Sequence, residues 1–248
     1  MIKNLSNKYL ERYSRQIILK DVGIVGQKKI SGSKILIIGA GGLGCPAADY
    51  LSRSGVGTIG IVDFDKIALS NIHRQSLYNS SDIGKFKVDV IYKQLKKINP
   101  IIKINKYKLK ASYKNIKNII KKYDLIIDGS DNFKTKFLLN ELSLKFKKIF
   151  ISGAISKLDG HVFTFNFKKK DPCLKCFYQS IPSDEILNCE TDGILGPVAG
   201  IIGMIQANEA LKIILNIKKH LGSNILIVDL KNLNFRKVKF KKKNNCIC

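Results

Sequence analysis

The sequence predicts an α/β fold: a Rossmann-like wound sheet, mostly parallel, with an antiparallel C-terminal extension and a helical N-terminus. Three observations predict it. Lys34 to Ile38 is an apolar run rich in β-branched residues that enters the glycine turn Gly39-Ala-Gly-Gly-Leu-Gly44, and Cys45 to Ser54 then reads as a helix. Strand-length apolar runs near Thr58 to Val62, Ile101 to Asn105, Leu125 to Asp128 and Ile149 to Ser152 alternate with helical segments, the pattern of parallel strands joined by right-handed crossovers. Beyond Gly153 the pattern changes. His161 to Phe167 alternates as a strand, Gly193 to Lys218 reads as a helix, and Asn224 to Val228 and Phe235 to Phe240 read as strands.

In chain order, helical material up to about Ser31 leads into the first strand. The glycine turn follows because a tight strand-to-helix reversal needs positive φ and close backbone approach, and the N–H groups that open the next helix can face a phosphate. Asp63 ends the second strand, where a carboxylate can accept hydrogen bonds from ribose hydroxyls. Ser70 to Gln75 is a polar and basic patch, and Gly84-Lys-Phe-Lys87 opens a helical run that stops at Asn99-Pro100. After the strand that ends at Asp128 come Gly129, Ser130, Asp131 and Asn132, so that a carboxylate and an amide stand at another carboxyl strand edge, where open α/β sheets bind ligands. The longest irregular piece runs from Phe177 to Asp192, and long loops in compact domains tend to be functional.

These residues point to a nucleotide site and leave the nucleotide open. Arg74, Lys87 and Asp131 around one phosphate loop suit charge neutralisation and a magnesium ion, as phosphoryl chemistry requires. A nicotinamide-dependent oxidoreductase would use the same glycine turn and leave all three without a role.

The ordered set Arg12-Tyr-Ser-Arg15-Gln-Ile, Gly39-Ala-Gly-Gly-Leu-Gly44, Asp63-Phe-Asp65, Leu69-Ser-Asn-Ile-His-Arg-Gln75, Ser130-Asp-Asn132 and Gly193-Ile-Leu-Gly-Pro197 resembles the ThiF/MoeB/HesA family, the bacterial relatives of ubiquitin-activating enzymes. The resemblance runs from about Tyr9 to the C-terminus. It implies an adenylyltransferase that uses ATP and Mg2+ to adenylate the C-terminal glycine carboxylate of a small ubiquitin-like sulfur-carrier protein ending in Gly-Gly, for molybdopterin, thiamin or another product, releasing pyrophosphate. By the same resemblance Gly39, Gly41, Gly42 and Gly44 lie against the nucleotide, Asp63 holds ribose, and Ser70, Asn71, Arg74, Lys87 and Asn132 line the site. Asp131 binds magnesium, and Arg15 reaches the ATP of the other subunit of a homodimer. Phe86 departs from the family, which has proline just before the lysine, and this puts the shape of the Lys87 loop in question. A tRNA-modifying relative that adenylates a carboxylate on a modified adenosine is the nearer rival, and the cysteines favour the sulfur-carrier branch over it.

The cysteines fall into groups. Cys173 and Cys176 have the two-residue spacing that lets two thiolates bind one tetrahedral zinc, and Cys246 and Cys248 could complete a four-sulfur structural site. The family counterpart ends in a second C-x-x-C where this chain has C-x-C. A redox role is disfavoured because Cys173 is not expected to open a helix of a thioredoxin-like unit. Cys45, beside the glycine turn, reads as a small packing residue. Cys189 matches the position at which ubiquitin-activating enzymes carry a nucleophilic cysteine; it is either such a nucleophile or a partly buried thiol. His73 reads as lining the nucleotide site through its neighbours, whereas His161 reads as a strand-surface residue and His220 as a helix-end residue. No general base is needed, since a carboxylate is already ionised at neutral pH.

At 248 residues with 45% hydrophobic content the chain reads as a single domain, with a nucleotide-binding half at about 30–153 and a carrier- and zinc-binding half at about 154–248. Pro197, Asn208 and Glu209 interrupt the longest apolar helix candidate, and the N-terminus lacks the apolar core of a signal peptide, so the expected setting is cytoplasmic. The net charge of +25 would favour any polyanion, but the lysines are scattered, without an aromatic-interleaved basic motif or a recognition helix. Nucleic acid is therefore not the expected partner, and a basic face suits an acidic carrier instead. With no rhodanese-like pattern after Val238, sulfur is expected from a separate donor.

Overall fold

The computed structural model of the chain describes residues 6–167, 171–178, 182, 193–222, 224–244 and 246. Two helices, α1 (Asn7–Ile17) and α2 (Gly23–Gly32), precede β1 (Lys34–Ile38). Then come α3 (Gly44–Ser54), β2 (Thr58–Asp63), α4 (Lys87–Ile98), β3 (Lys103–Lys108), α5 (Tyr113–Ile120), β4 (Leu125–Asp128) and α6 (Phe133–Lys145). The C-terminal part consists of β5 (Ile149–Ser156), β6 (Asp159–Phe165), a one-turn α7 (Leu174–Phe177), α8 (Gly196–Ile214), β7 (Asn224–Asp229) and β8 (Asn234–Lys239).

These strands form one eight-stranded sheet in the order β3-β2-β1-β4-β5-β6-β7-β8. The pairs from β3 across to β5 are parallel, and β5 to β8 pair antiparallel. The expected antiparallel extension is thus a continuation of the nucleotide-binding sheet. Side chains alternate across it: Ile35, Ile37, Ile59, Ile61 and Ile127 pack against α3, α4 and α8, while Leu36, Ile38, Ile126 and Phe150 pack against α5 and α6. Burial on both faces explains why β1, β2 and β4 read as continuous apolar runs, whereas the edge strand β3 is largely polar and unburied.

Several boundaries differ from expectation. β6 runs Asp159–Phe165 in place of His161 to Phe167, because its pairing with β5 extends from Ser156↔Asp159 to Phe150↔Phe165. β3 begins at Lys103, not Ile101, because Pro100 and the turn after α4 leave Ile101 58% exposed and pairing with β2 starts at Thr58↔Lys103. β5 runs on to Ser156 because its far end is paired, through Ser156↔Asp159, in the hairpin with β6. α8 is shorter than Gly193 to Lys218: Pro197 sits in its first turn, where the missing N–H costs nothing, and Asn216 turns to a φ of 60° just past its end.

Candidate active site

Three glycines bring the carboxyl ends of β1 and β4 together. Gly39 has a φ of 93°, and a Cβ there would stand 2.6 Å from the Gly129 carbonyl oxygen. A Cβ on Gly44 would overlap the Gly39 carbonyl oxygen, and one on Gly129 would stand 3.1 Å from both that oxygen and the Gly44 nitrogen. Gly42 lies under α8, with Ala199 Cβ 3.0 Å and the Arg74 carbonyl oxygen 3.6 Å from where its Cβ would be. Gly196 is required at the start of α8 for the same reason, since any Cβ would run into the His73 carbonyl. Gly41 has open space beside it, with only the Gln75 amide nitrogen at 3.7 Å. The strap His73–Arg74, the glycine turn and the start of α8 are therefore packed backbone to backbone.

Charged groups surround this turn. Asp63 is nearly buried and accepts from the Ala40 N–H at 2.7 Å and the Asp65 N–H at 2.8 Å. Burial raises its pKa above the usual carboxylate value, opposed by the charge of Lys87 and by those two N–H bonds. The two bonds use half of its acceptor capacity and leave lone pairs for a ligand. Lys87, buried in the first turn of α4, reaches Asp65 Oδ2 at 3.1 Å. Phe86 before it has φ −67°, ψ 133°, which is proline's own range. Its departure from the family therefore does not require a different loop shape. Arg74 Nη1 donates to the Ser70 carbonyl at 2.8 Å and lies 2.7 Å from His73 Nε2, and Asn71 Oδ1 accepts from the Ala68 N–H at 3.2 Å. Ser70 and His73 face solvent. Cys45 is fully buried, as a packing residue should be, its thiol pushed up to about 12 by desolvation.

Asp131 stands two residues beyond Gly129 and is exposed, its Oδ1 accepting from the Asn132 amide at 3.2 Å. Asn132 caps α6 by accepting from the Thr135 N–H at 2.9 Å, so its side chain first fixes the helix start. Beneath this loop lies a network the sequence reading did not single out. Asp128, fully buried, accepts from the Ser130 N–H at 3.0 Å, Ser130 Oγ at 2.6 Å, Ser152 Oγ at 2.7 Å and Lys136 Nζ at 3.0 Å. Gln206 Nε2 of α8 donates to its carbonyl at 2.8 Å.

A profile of the ThiF family matches residues 13–248, which cover the glycine turn, the basic strap and the Asp131 loop alike. The chain belongs to the ThiF family. The adenylyltransferase and sulfurtransferase MOCS3 of Culex quinquefasciatus is 39% identical over 99% of this chain and 56% of its own length. The probable molybdopterin-synthase adenylyltransferase of Gracilaria tenuistipitata var. liui is 39% identical over 98% of this chain and 68% of its own length. The chain thus spans about half the length of the MOCS3 relatives it matches. Among solved structures, PaaA superposes with a TM-score of 0.83 over 98% of this chain and 77% of its own, at 26% identity. E. coli MccB, in a structure with ATP, superposes with a TM-score of 0.83 over 98% of this chain and 74% of its own, and at 21% identity it shows the fold alone.

Within the ThiF-family frame, one chain gathers Gly39 to Gly44, Asp63, Ser70 to Arg74, Lys87 and Asp131 at the carboxyl edge of the sheet. Arg15 is not among them. Its helix neighbours Tyr13 and Gln16 touch Asn99, at the end of α4, and Ser54, at the end of α3, and those helices begin at the carboxyl edge and end at the opposite one. Cys173, Cys176 and Cys246 place their sulfurs within 4.8 Å of one another, with Cys173 Sγ and Cys246 Sγ 3.6 Å apart. Cys189 and Cys248 lie outside the described residues, as does most of the Phe177 to Asp192 segment. Cys173 caps the four-residue α7, which packs on α6. One expectation is corrected. His161 is half-buried, not a surface residue, with Nε2 3.3 Å from the Tyr178 hydroxyl; burial and the charge of Lys136 push its pKa down to about 4. None of the described helices is long and apolar enough to cross a membrane.

Proposed function

We propose that the chain adenylates the C-terminal glycine carboxylate of a small ubiquitin-like sulfur carrier ending in Gly-Gly, of the molybdopterin type that the relatives' names indicate, with ATP as co-substrate. The placement of Arg74, Lys87 and Asp131 on the segments around one glycine turn carries this reading: two cations and a carboxylate suited to a metal surround a backbone that is open at Gly41. The glycine-turn N–H groups and the start of α3 face the phosphates, Asp63 holds the ribose, and Ser70 and Asn71 line its edge. The ionised carrier carboxylate attacks the α-phosphorus in line, its new O–P bond replacing the bond to the β-phosphate oxygen. Pyrophosphate leaves and an acyl-adenylate remains. Arg74 and Lys87 stabilise charge that builds on the phosphoryl oxygens. Asp131 would hold Mg2+, directly or through water, and that ion supplies charge neutralisation across the phosphates. The half at about 30–153 binds nucleotide and the half at about 154–248 receives the carrier.

Arg15 belongs in this reading to a second copy of the chain. The turn after α1 exposes Ile18 and Leu19, by 72% and 56%, and the start of α2 exposes Ile24 and Val25, by 48% and 70%, apolar surface close in sequence to Arg15 that a homodimer would cover. The sulfur cluster suits structural zinc: tetrahedral coordination at the usual Zn–S distance puts sulfurs about 3.8 Å apart, close to the observed Cys173–Cys246 spacing, and Cys248 would be the fourth ligand. Cys189 would take the acyl group from AMP as a thioester. A cytoplasmic setting would keep these thiols reduced.

Carrier-dependent ATP–pyrophosphate exchange tests the reading. Asp131→Ala should abolish exchange while leaving the melting temperature near that of the parent protein, because it removes a loop carboxylate and no core volume. Exchange within a factor of a few of the parent would refute the assignment.

A further inference from the structure

We infer that Lys136 is a positioning residue for the Asp131 loop: its buried ammonium fixes the backbone from which the magnesium-binding carboxylate projects. The inference rests on the reading of Asp131 as the magnesium ligand.

Lys136 is 2% exposed in the first turns of α6. A lysine ammonium has three donors, and all three are used, on Asp128 Oδ2 at 3.0 Å, the Ser130 carbonyl at 2.8 Å and the Gly153 carbonyl at 2.6 Å. A fully buried ion pair pays a desolvation cost that its attraction roughly cancels, so it is weak as a source of stability, and its value lies in what it fixes. Here it joins three segments: the end of β4, the backbone immediately before Asp131, and β5 next to the hairpin where the sheet turns antiparallel. Ser130 is held at every polar atom, its N–H and Oγ by Asp128 and its carbonyl by Lys136. With residue 130 locked inward and residue 132 committed to capping α6, the backbone of residue 131 is fixed from both sides, and its side chain is exposed to solvent. Without the ammonium the Ser130 carbonyl and Gly153 carbonyl lose their shared donor, and the loop is left with the Asp128 Oδ1 contacts, the Gly129 N–H bond to the Ile38 carbonyl at 2.8 Å and the Asn132 cap.

Charge and geometry predict opposite signs, which makes the role testable. Removing a cation near a magnesium site should, by Coulomb's law alone, tighten binding of a dication. Loss of positioning should weaken it, on the order of 10-fold, the scale for removing an outer partner of a metal ligand. Calorimetric titration of ATP at stepped magnesium concentrations needs no carrier and reads this directly. Lys136→Met, and Asp128→Asn combined with Lys136→Met so that no buried charge is left unpaired, should both lose about 10-fold of the magnesium-dependent gain in ATP affinity while keeping magnesium-free ATP affinity. A merely structural lysine would lower the melting temperature and the number of competent sites but leave the affinity of the remaining sites unchanged, and that result overturns the inference. Asp131→Asn run alongside separates the two levels. If it lowers the magnesium-dependent gain and the Lys136 variants do not, the positioning role alone falls; if Asp131→Asn changes nothing, the ligand reading falls and takes this inference with it.

Discussion

The parallel strands β1 to β4 and the antiparallel strands β5 to β8 share one sheet, yet their ends are tied by different chemistry. At the carboxyl edge of the parallel part, small residues let backbones touch: Gly39, Gly44 and Gly129 stack carbonyl against amide, and Gly42 and Gly196 admit α8 and the Arg74 strap. In the antiparallel part, large rings fill the space instead. Phe165 lies between Phe150 and Phe163 with ring centroids 5.8 and 5.5 Å away, and Phe240, just past β8, meets Phe163 and Phe177 at 5.8 and 5.7 Å before the tail reaches Cys246. The first arrangement leaves room for a ligand and tolerates no added atom. The second buries area, and it brings a distant tail to Cys173 and Cys176. One region is shaped by what is missing from it, and the other is held by what fills it.

The largest expected effect tests the first half of that contrast. Gly44→Ala puts a methyl group into the Gly39 carbonyl, with rigid backbone on both sides, so the variant should fail to give folded protein or lose several kcal/mol by analogy with severe overpacking and strain; a melting temperature like that of the parent would break the comparison. Next in size, Arg74→Ala and Lys87→Ala should each slow pyrophosphate exchange on the order of 10²-fold, the scale for removing one charge-stabilising donor. Losses below about threefold in both would remove the cations from the reaction.

Smaller effects probe the antiparallel part. Cys176→Ser should lower zinc content and melting temperature together if the sulfurs hold a structural metal, with pyrophosphate exchange by the folded fraction retained; metal analysis of protein purified under reducing conditions without chelators decides it, and no zinc in the unmutated chain rules the site out. The smallest effect concerns His161. Its pKa is held down at about 4 in the folded chain by burial and the Lys136 charge, against about 6.5 unfolded. Between those values the unfolded state takes up a proton that the folded state refuses, so stability falls as pH drops from about 6.5 toward 4. His161→Gln, neutral and still able to meet the Tyr178 hydroxyl, should flatten that slope in denaturant titrations at stepped pH. An unchanged slope would assign it to other groups.

Much of the glycine-turn edge of the sheet was legible in the sequence because its signals are local. A β-branched run, a glycine turn and a terminal aspartate report on strand, reversal and strand end within a few residues of each, and they place Gly39 and Asp63; Arg74, Lys87 and Asp131 came from the polar segments after later strands and from the family resemblance. Lys136 was not legible. On α6 it shares an inward stripe with Asn140 and Ser143, which are also buried, but in a chain with 44 lysines and arginines one more lysine on a helix reads as a solvated face. His161 was misjudged for a related reason: strand alternation assigns a face and says nothing about what covers it, and Tyr178 covers this one.

By itself the sequence determined the order of elements, the two-faced burial of the parallel strands and the glycine turn, since backbone conformation and side-chain period are set by nearest neighbours. Only the tertiary structure decided which distant groups meet: that Asp128 receives Lys136 and Ser152, that Cys246 arrives beside Cys173, and that Arg15 lies at the edge of the sheet away from the glycine turn of its own chain. Such meetings depend on how two packed faces and a continuous sheet fold the chain back on itself, and no window of sequence contains both partners.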